Sequence, residues 1–312
     1  MADSLAGGRT WVGDWLARGR TSLVGRLLKT FIRQSRTIAG IFVWIGIAVV
    51  LAIIVLAIFA PFIAPFEPNT FVAAPETPPG GRFLMGIDRG GQDVWSRIVW
   101  GARVPLEIIA LSTTISLVIG LPLGLFSGFV GGRIDRAILL IQDSIYAFPG
   151  LLLAIAIAAV IGRGVLNVSV AIAVVYIPTY FRVIRNHVAS VKQEPYVEAA
   201  IALGMTRRRV IGRYVLPNVA QNIPVIFSIN AADAVLTEAG LAILGLALPP
   251  YIPDWGFDIS LNWQRFDTSW WATFYPGLFI MILTTALTFV GEGLNDILNP
   301  LLRKKGFKAA EA

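Results

Sequence analysis

Glu198-Ala-Ala-Ile-Ala-Leu-Gly-Met-Thr-Arg-Arg-Arg-Val-Ile-Gly-Arg-Tyr-Val-Leu-Pro217 is a polar, basic interruption between two apolar runs, about 168–184 before it and 222–246 after it. The contrast decides the fold, because roughly 17–25 apolar residues, rising about 1.5 Å each as a helix, cross a hydrocarbon core of about 30 Å. Inside the interruption, residues 194–203 are helix-forming, with Pro195 acceptable in a first turn and Gly204 placed to end the helix in a left-handed conformation. Thr206 is placed to cap a second helix whose Val210, Ile211, Tyr214 and Val215 form an apolar face, with a stop expected near Pro217. Two short helices set at an angle about a glycine suit the cleft of a partner.

The rest of the chain agrees with a membrane setting. It is 56% hydrophobic and 14% charged over 312 residues, against roughly 25% charged in soluble domains. The apolar runs are continuous and do not alternate, which disfavours an outer-membrane barrel. Six spans are expected, near 38–63, 106–130, 137–161, 168–184, 222–246 and 271–294, in an all-α polytopic fold. The first is too long and too far from the start to be the apolar region of a cleaved signal peptide. The segments are a tail at 1–37, the first span at 38–63, an outer segment at 64–105, a five-helix core at 106–298 containing the polar loop 185–221, and a tail at 299–312.

Two smaller features belong to the outer side. Asp93 is a plausible N-cap for a short amphipathic helix with Val94, Trp95, Ile98, Val99 and Ala102 on one stripe. The loop 247–270 holds Asp254, Asp258 and Asp267, and Trp255, Trp263, Trp270 and the adjoining Trp271 suit an interfacial aromatic belt. In the N-terminal tail, Trp11, Trp15, Leu23, Val24, Leu27, Leu28 and Phe31 are spaced for a basic amphipathic helix on an anionic membrane surface, or the tail is simply solvated.

The net charge of +7 follows from topology. Twenty of the twenty-six Lys and Arg fall in the two tails, the 131–136 turn and the 182–213 region, so both termini and the Glu198 stretch are expected to be cytoplasmic. With the basic excess explained in this way, nucleic-acid binding is not expected. The chain contains no cysteine and one histidine, His187, so thiol chemistry and a metal centre of those ligands are excluded.

Neither a phosphate loop, a nucleophile elbow nor a His-Glu-x-x-His helix occurs, so no catalytic residue is expected and no cofactor in this chain. Glu107, Asp143, Asp233 and Glu238 lie in or at the edge of expected spans. Ionisable groups there are costly, and they face the bundle interior, a wet path or an interface. Asp143, Asp233 and Glu238 are the candidates for lining a translocation path. Helix-to-helix hydrogen bonds are the alternative for all of them, and a proton relay would instead make the chain a secondary transporter.

Spacing makes the Glu198 stretch more specific than a lone Glu-Ala-Ala: glycine follows Glu198 by six positions, isoleucine by thirteen and Leu-Pro by eighteen and nineteen. This resembles the Glu-Ala-Ala loop of permease subunits of bacterial ABC importers. Met85-Gly-Ile-Asp-Arg-Gly-Gly-Gln-Asp-Val-Trp-Ser-Arg97, Gly101-Ala-Arg-Val-Pro-Leu106, Gly131-Gly-Arg-Ile-Asp-Arg136, Ala147-Phe-Pro149, Thr237-Glu-Ala239, Leu244-Gly-Leu246, Asp254-Trp-Gly256 and Gly291-Glu-Gly-Leu-Asn-Asp296 are similar to the C-type subunit of the dipeptide, oligopeptide and nickel permease family.

The resemblance implies a type I importer fold in a bacterial or archaeal inner membrane. It implies a homologous second permease, two cytoplasmic ATPases that bind ATP and Mg, an extracytoplasmic solute-binding protein, and surrounding lipid. It assigns ATPase coupling to Glu198, Ala199, Ala200, Leu203, Gly204, Met205, Thr206, Arg207 and Arg208. The implied cargo is di- or oligopeptide, with nickel or oligosaccharide as alternatives on the same framework.

Overall fold

In the computed structural model, which describes residues 38–298, the apolar runs fold as helices joined by short turns and one extended outer segment. The expected tails at 1–37 and 299–312 lie outside the described residues. The long elements are α1 (Ile38–Ile58), α2 (Val94–Gly101), α3 (Arg103–Val130), α4 (Gly132–Tyr146), α5 (Gly150–Ile161), α6 (Val165–Lys192), α7 (Pro195–Ala202), α8 (Arg207–Val210), α9 (Ile223–Ile243), α10 (Trp255–Asn262) and α11 (Trp271–Leu298).

Among the described residues, five helical stretches are long and apolar enough to cross a membrane, and the α4–α5 pair makes a sixth if it is one span. That pair corrects the straight third span expected at 137–161: the two helices meet at 87°. Pro149 is the physical reason. It has no N–H to donate, and its ring disfavours helical backbone at the preceding residue. α4 therefore ends at Tyr146 and a new helix starts at Gly150.

Small residues set how closely the spans approach. α3 and α6 form the most extensive helix contact among the described residues, and Gly120, Gly124 and Gly128 recur every fourth residue along it. A Cβ at Gly124 would lie 2.9 Å from Ile184 Cβ and from the Phe181 carbonyl oxygen. Hydrocarbon solvent gives helices no hydrophobic reason to associate, so this close fit supplies the dispersion contact that does. α1 approaches α11 in the same way, with Gly46 against the Ala286 carbonyl and Gly293 against Val43. One core, centred on α2, α3, α9 and α11, lies beneath the outer segment, and a second joins Phe129, Tyr180, Ile184 and Val188 to the buried side of α7 and α8.

The outer end is closed by polar contacts that bind distant segments. Asp93 caps α2 as expected, accepting from Ser96 N at 2.8 Å, and Val94, Ile98, Val99 and Ala102 are buried. The aromatic belt expected from four tryptophans is corrected in part. Trp263 and Trp270 are exposed, but Trp255 and Trp271 are buried, because their indole N–H groups donate to the Ile98 and Ile87 carbonyls, each at 3.0 Å.

Candidate functional site

Residues 195–215 form a surface that the rest of the chain holds out without covering. Pro195 starts α7, where its missing N–H costs nothing. The helix ends in a paired hydrogen-bond closure: Gly204 N–H donates to the Ile201 carbonyl at 3.0 Å and Met205 N–H to the Ala200 carbonyl at 3.1 Å. This closure needs a left-handed residue, and Gly204 has φ +80°.

The two sides of α7 differ. Val197 and Ala200 are buried against Val188, Val191, Val210 and Val215. Glu198, Ala199, Gly204, Thr206, Arg207 and Arg208 are exposed, Met205 is half-buried, and Leu203 is 87% exposed. Ile201 and Tyr196 are also exposed. An apolar knob beside a row of arginines is a combination that water does not favour and a partner's cleft does. Of the nine residues singled out in the sequence, the structure puts eight on or at the edge of this surface and Ala200 beneath it.

Two expectations about the second helix are corrected. Thr206 holds the N-cap position of α8, but its hydroxyl makes no capping bond. Pro217 does not stop the helix. Residues Ile211–Val215 widen into a π turn, and helical structure continues through Leu216–Val219 and Ala220–Asn222 into α9. The wider turn shifts the hydrogen-bond register at Leu216, whose N–H reaches back to the Ile211 carbonyl, and so accommodates a proline that lacks a donor.

The three carboxylates expected along a path are not gathered in one place. Asp143 ends α4 and accepts from Arg182 Nη2 at 2.7 Å, while the Arg182 guanidinium lies 4.0 Å from the Tyr146 ring centroid. These groups are partly exposed at the α4–α5 bend, with Asp143 at 54%. Asp233 is exposed on α9. Glu238, in contrast, is only 3% exposed and lies beside Asp254 at the start of α10, with its Oε1 lacking a donor among the described residues. Glu107, also in the set of ionisable groups, is exposed.

A polar centre that the sequence did not bring together lies beside the last contact. Arg97 Nε donates to Asp258 Oδ1 at 2.9 Å, and its Nη2 donates to the same oxygen. Arg97 Nη1 reaches Gln92 Oε1 at 2.7 Å and Asn69 Oδ1 at 3.2 Å. Asp88 lies 3.9 Å from Arg97 Nε and accepts from the Gly90 and Gln92 amides. Burial pushes the carboxyl groups of Asp88 and Asp258 above the usual carboxylate range, against the opposing pull of hydrogen bonds and of Arg97. The conspicuous arginine and aspartates of these segments were visible in the sequence, but nothing in their spacing paired them.

No group of three or more metal-binding side chains occurs among the described residues. The geometry offers an exposed apolar and basic surface at α7–α8 and a charged bend at α4–α5.

Known proteins resemble the chain over most of its length. Residues 120–304 match the family described as binding-protein-dependent transport system inner membrane component, and residues 42–79 match the N-terminal TM domain of oligopeptide transport permease C. The chain is 37% identical over 265 residues to a di/tripeptide transport system permease protein of Pseudomonas aeruginosa, covering 83% of this chain and 88% of that protein. It is 35% identical to a dipeptide transport system permease protein of Alkalihalophilus pseudofirmus, with 83% and 86% covered. A glutathione transport system permease protein of Pectobacterium atrosepticum is 34% identical, with 88% and 90% covered. With its helical membrane-spanning fold and these relatives, the chain belongs to the binding-protein-dependent transport system inner membrane component family and is a permease subunit of the ABC transporter class.

Proposed function

We propose that this chain forms half of the translocation path of an importer for di- and oligopeptides and transmits to it the work of ATP hydrolysis performed by separate subunits. The observation that carries the coupling part is the α7–α8 surface: a rigid, glycine-closed helix end with Leu203 87% exposed beside Arg207 and Arg208. The cargo part rests on the di/tripeptide, dipeptide and glutathione systems named for the relatives.

In this reading, two ATPases bind ATP and Mg, and one of them receives α7 in a cleft, with Glu198, Ala199, Leu203, Gly204, Met205, Thr206, Arg207 and Arg208 at the contact and Ala200 supporting it from below. ATP-driven closure of the ATPases moves α7 as a lever. The bundle, bistable about its packed glycine contacts, switches between inward-open and outward-open states. A second, homologous permease completes the path, and a binding protein delivers cargo to the outer face. Both termini and the α7–α8 segment lie in the cytoplasm, in an inner membrane.

Asp143 with Arg182, and Asp233, are the groups that face the path. Both signs of charge at the bend suit a peptide carrying an ammonium and a carboxylate. Glu238, being buried, instead anchors α10 to α9. The test is reconstitution of the full complex in vesicles with its binding protein: uptake of labelled dipeptide that requires ATP supports the reading, whereas uptake driven by a pH gradient without ATP overturns it.

A further inference from the structure

A cleft of about 340 Å³ lies between the last turn of α1 and the first turns of α3, lined by Ile54, Ala57, Ile58, Arg103, Leu106 and Glu107. Its position is the end of a membrane span, where hydrocarbon gives way to water. Its two halves differ chemically. Ile54, Ala57, Ile58 and Leu106 form an apolar floor, and Arg103 and Glu107 form a charged rim.

The rim is held in place on one side only. Arg103 Nε donates to the Ala57 carbonyl at 2.8 Å, and the guanidinium lies 4.5 Å from the Trp100 ring centroid. Both contacts fix the plane of the guanidinium and leave its two terminal nitrogens without a hydrogen-bond partner among the described residues. Glu107, one helical turn further, is exposed, and no ion pair joins it to Arg103. A cation and an anion on adjacent turns are separated by about 5–6 Å between Cβ atoms.

We propose that this cleft binds a phospholipid whose headgroup carries a primary ammonium, with the phosphate on Arg103, the ammonium on Glu107 and the start of an acyl chain along Ile54, Ile58 and Leu106. The charge pattern selects this occupant. A purely anionic headgroup satisfies Arg103 and is repelled by Glu107. A choline headgroup has the right charges, but its quaternary nitrogen has no N–H to donate to a carboxylate. Trp100 stacked on the guanidinium is the kind of aromatic that sits at headgroup level. Because the lining shares no residue with the Asp143, Arg182 and Asp233 set, the site is independent of which solute the bundle carries.

The test uses the complete complex, purified with its partner permease and ATPases and equilibrated with an equimolar mixture of phosphatidylethanolamine, phosphatidylglycerol and phosphatidylcholine of identical chains. Retained lipid is read by native mass spectrometry. Wild type is expected to retain phosphatidylethanolamine about tenfold over either competitor, the scale of one charge-assisted hydrogen bond. Glu107→Gln, which changes an exposed residue that holds no other contact, removes that preference. Ile58→Trp fills the cleft and lowers total lipid, and thermal unfolding of both variants matches wild type. Equal retention of the three lipids by wild type, or unchanged selectivity in Glu107→Gln, overturns the proposal. So does cross-linking of residue 58 to the partner permease with no lipid retained.

Discussion

Glu238 on α9 and Asp254 at the N-cap of α10 are buried side by side, 3% and 1% exposed, and Glu238 Oε1 and Asp254 Oδ2 have no donor among the described residues. Two neighbouring carboxyl groups shielded from water do not both ionise, so a proton is retained between them. The second function of Asp254 explains why it is there: its other oxygen accepts from Phe257 N at 3.1 Å and starts α10. The pair thus sets a carboxyl group of an outer loop helix against one of a spanning helix.

Burial, above all, holds the Asp254 carboxyl above its usual range, with the Glu238 carboxyl, two backbone amides and Arg97 pulling the other way. The folded protein therefore keeps a proton that the unfolded chain has lost above about pH 3.9. Its contribution to stability is full below that pH and is lost as pH rises through the folded value. Thermal unfolding of the purified complex is expected to shift to lower temperature as pH is raised across that window. Glu238→Gln, whose amide donates to Asp254 without a titrating proton, flattens the dependence. Glu238→Leu leaves a buried oxygen unsatisfied and costs about 1–3 kcal/mol at all pH.

Arg97 is the hub of the outer segment, being 3% exposed and bonded to Asp258, Gln92 and Asn69. Removing one member of a buried ion pair costs about 3–5 kcal/mol, because the partner's charge is left without compensation. Arg97→Met is expected to lose that much, read as early unfolding in the fluorescence of Trp255 and Trp271. Arg97→Met with Asp258→Asn recovers part of it, since the stranded charge is gone. Equal destabilisation in the single and double variants would show that hydrogen bonding to the 66–92 segment, and not charge, is what Arg97 supplies.

The repeat of Gly120, Gly124 and Gly128 predicts a steric limit between α3 and α6. At Gly124 a Cβ meets Ile184 Cβ and a backbone carbonyl, each at 2.9 Å, and the carbonyl has no rotamer to adopt. Gly124→Val is expected to cost at least the 1–3 kcal/mol typical of overpacking, about, measured as lost thermal stability of the assembled complex. Gly212→Ala serves as the control, because nothing lies within 4 Å of its Cβ and its backbone is helical.

Much of this was legible in the sequence where the cause is local. Gly204 after a helix-forming run, Asp93 before an apolar stripe and continuous apolar spans each act through near neighbours, and each occurs in the structure as expected. The misses have longer-range or competing causes. Arg97 and Asp258 are 161 positions apart, and only the tertiary packing of α10 on α9 and α11 brings them together. Pro149 was in view, but the apolar composition on both sides hid the bend it forces. Pro217 reads locally as a stop, since a local rule does not foresee that a π turn absorbs the missing donor.

The exposed end of α7 separates a docking function from a folding one. Leu203 is 87% exposed, whereas Ala200, three residues before it, is 6% exposed. Leu203→Glu places a charge where only water touches it in this chain, so insertion and thermal stability are expected to be those of wild type. An apolar cleft in an ATPase would have to desolvate that charge, so co-purification of the ATPases and ATP-dependent uptake fall together. Ala200→Glu instead puts the charge among Val188, Val191 and Val210, and loses stability first. Gly204→Val tests the hinge: its Cβ meets nothing within 4 Å, so its cost is the left-handed backbone alone, about 1–2 kcal/mol. That is enough to reopen the helix end and weaken coupling while the spans stay inserted. Wild-type association in both Leu203→Glu and Gly204→Val would remove this surface from the ATPase contact, because neither change leaves it as a partner's cleft would have met it.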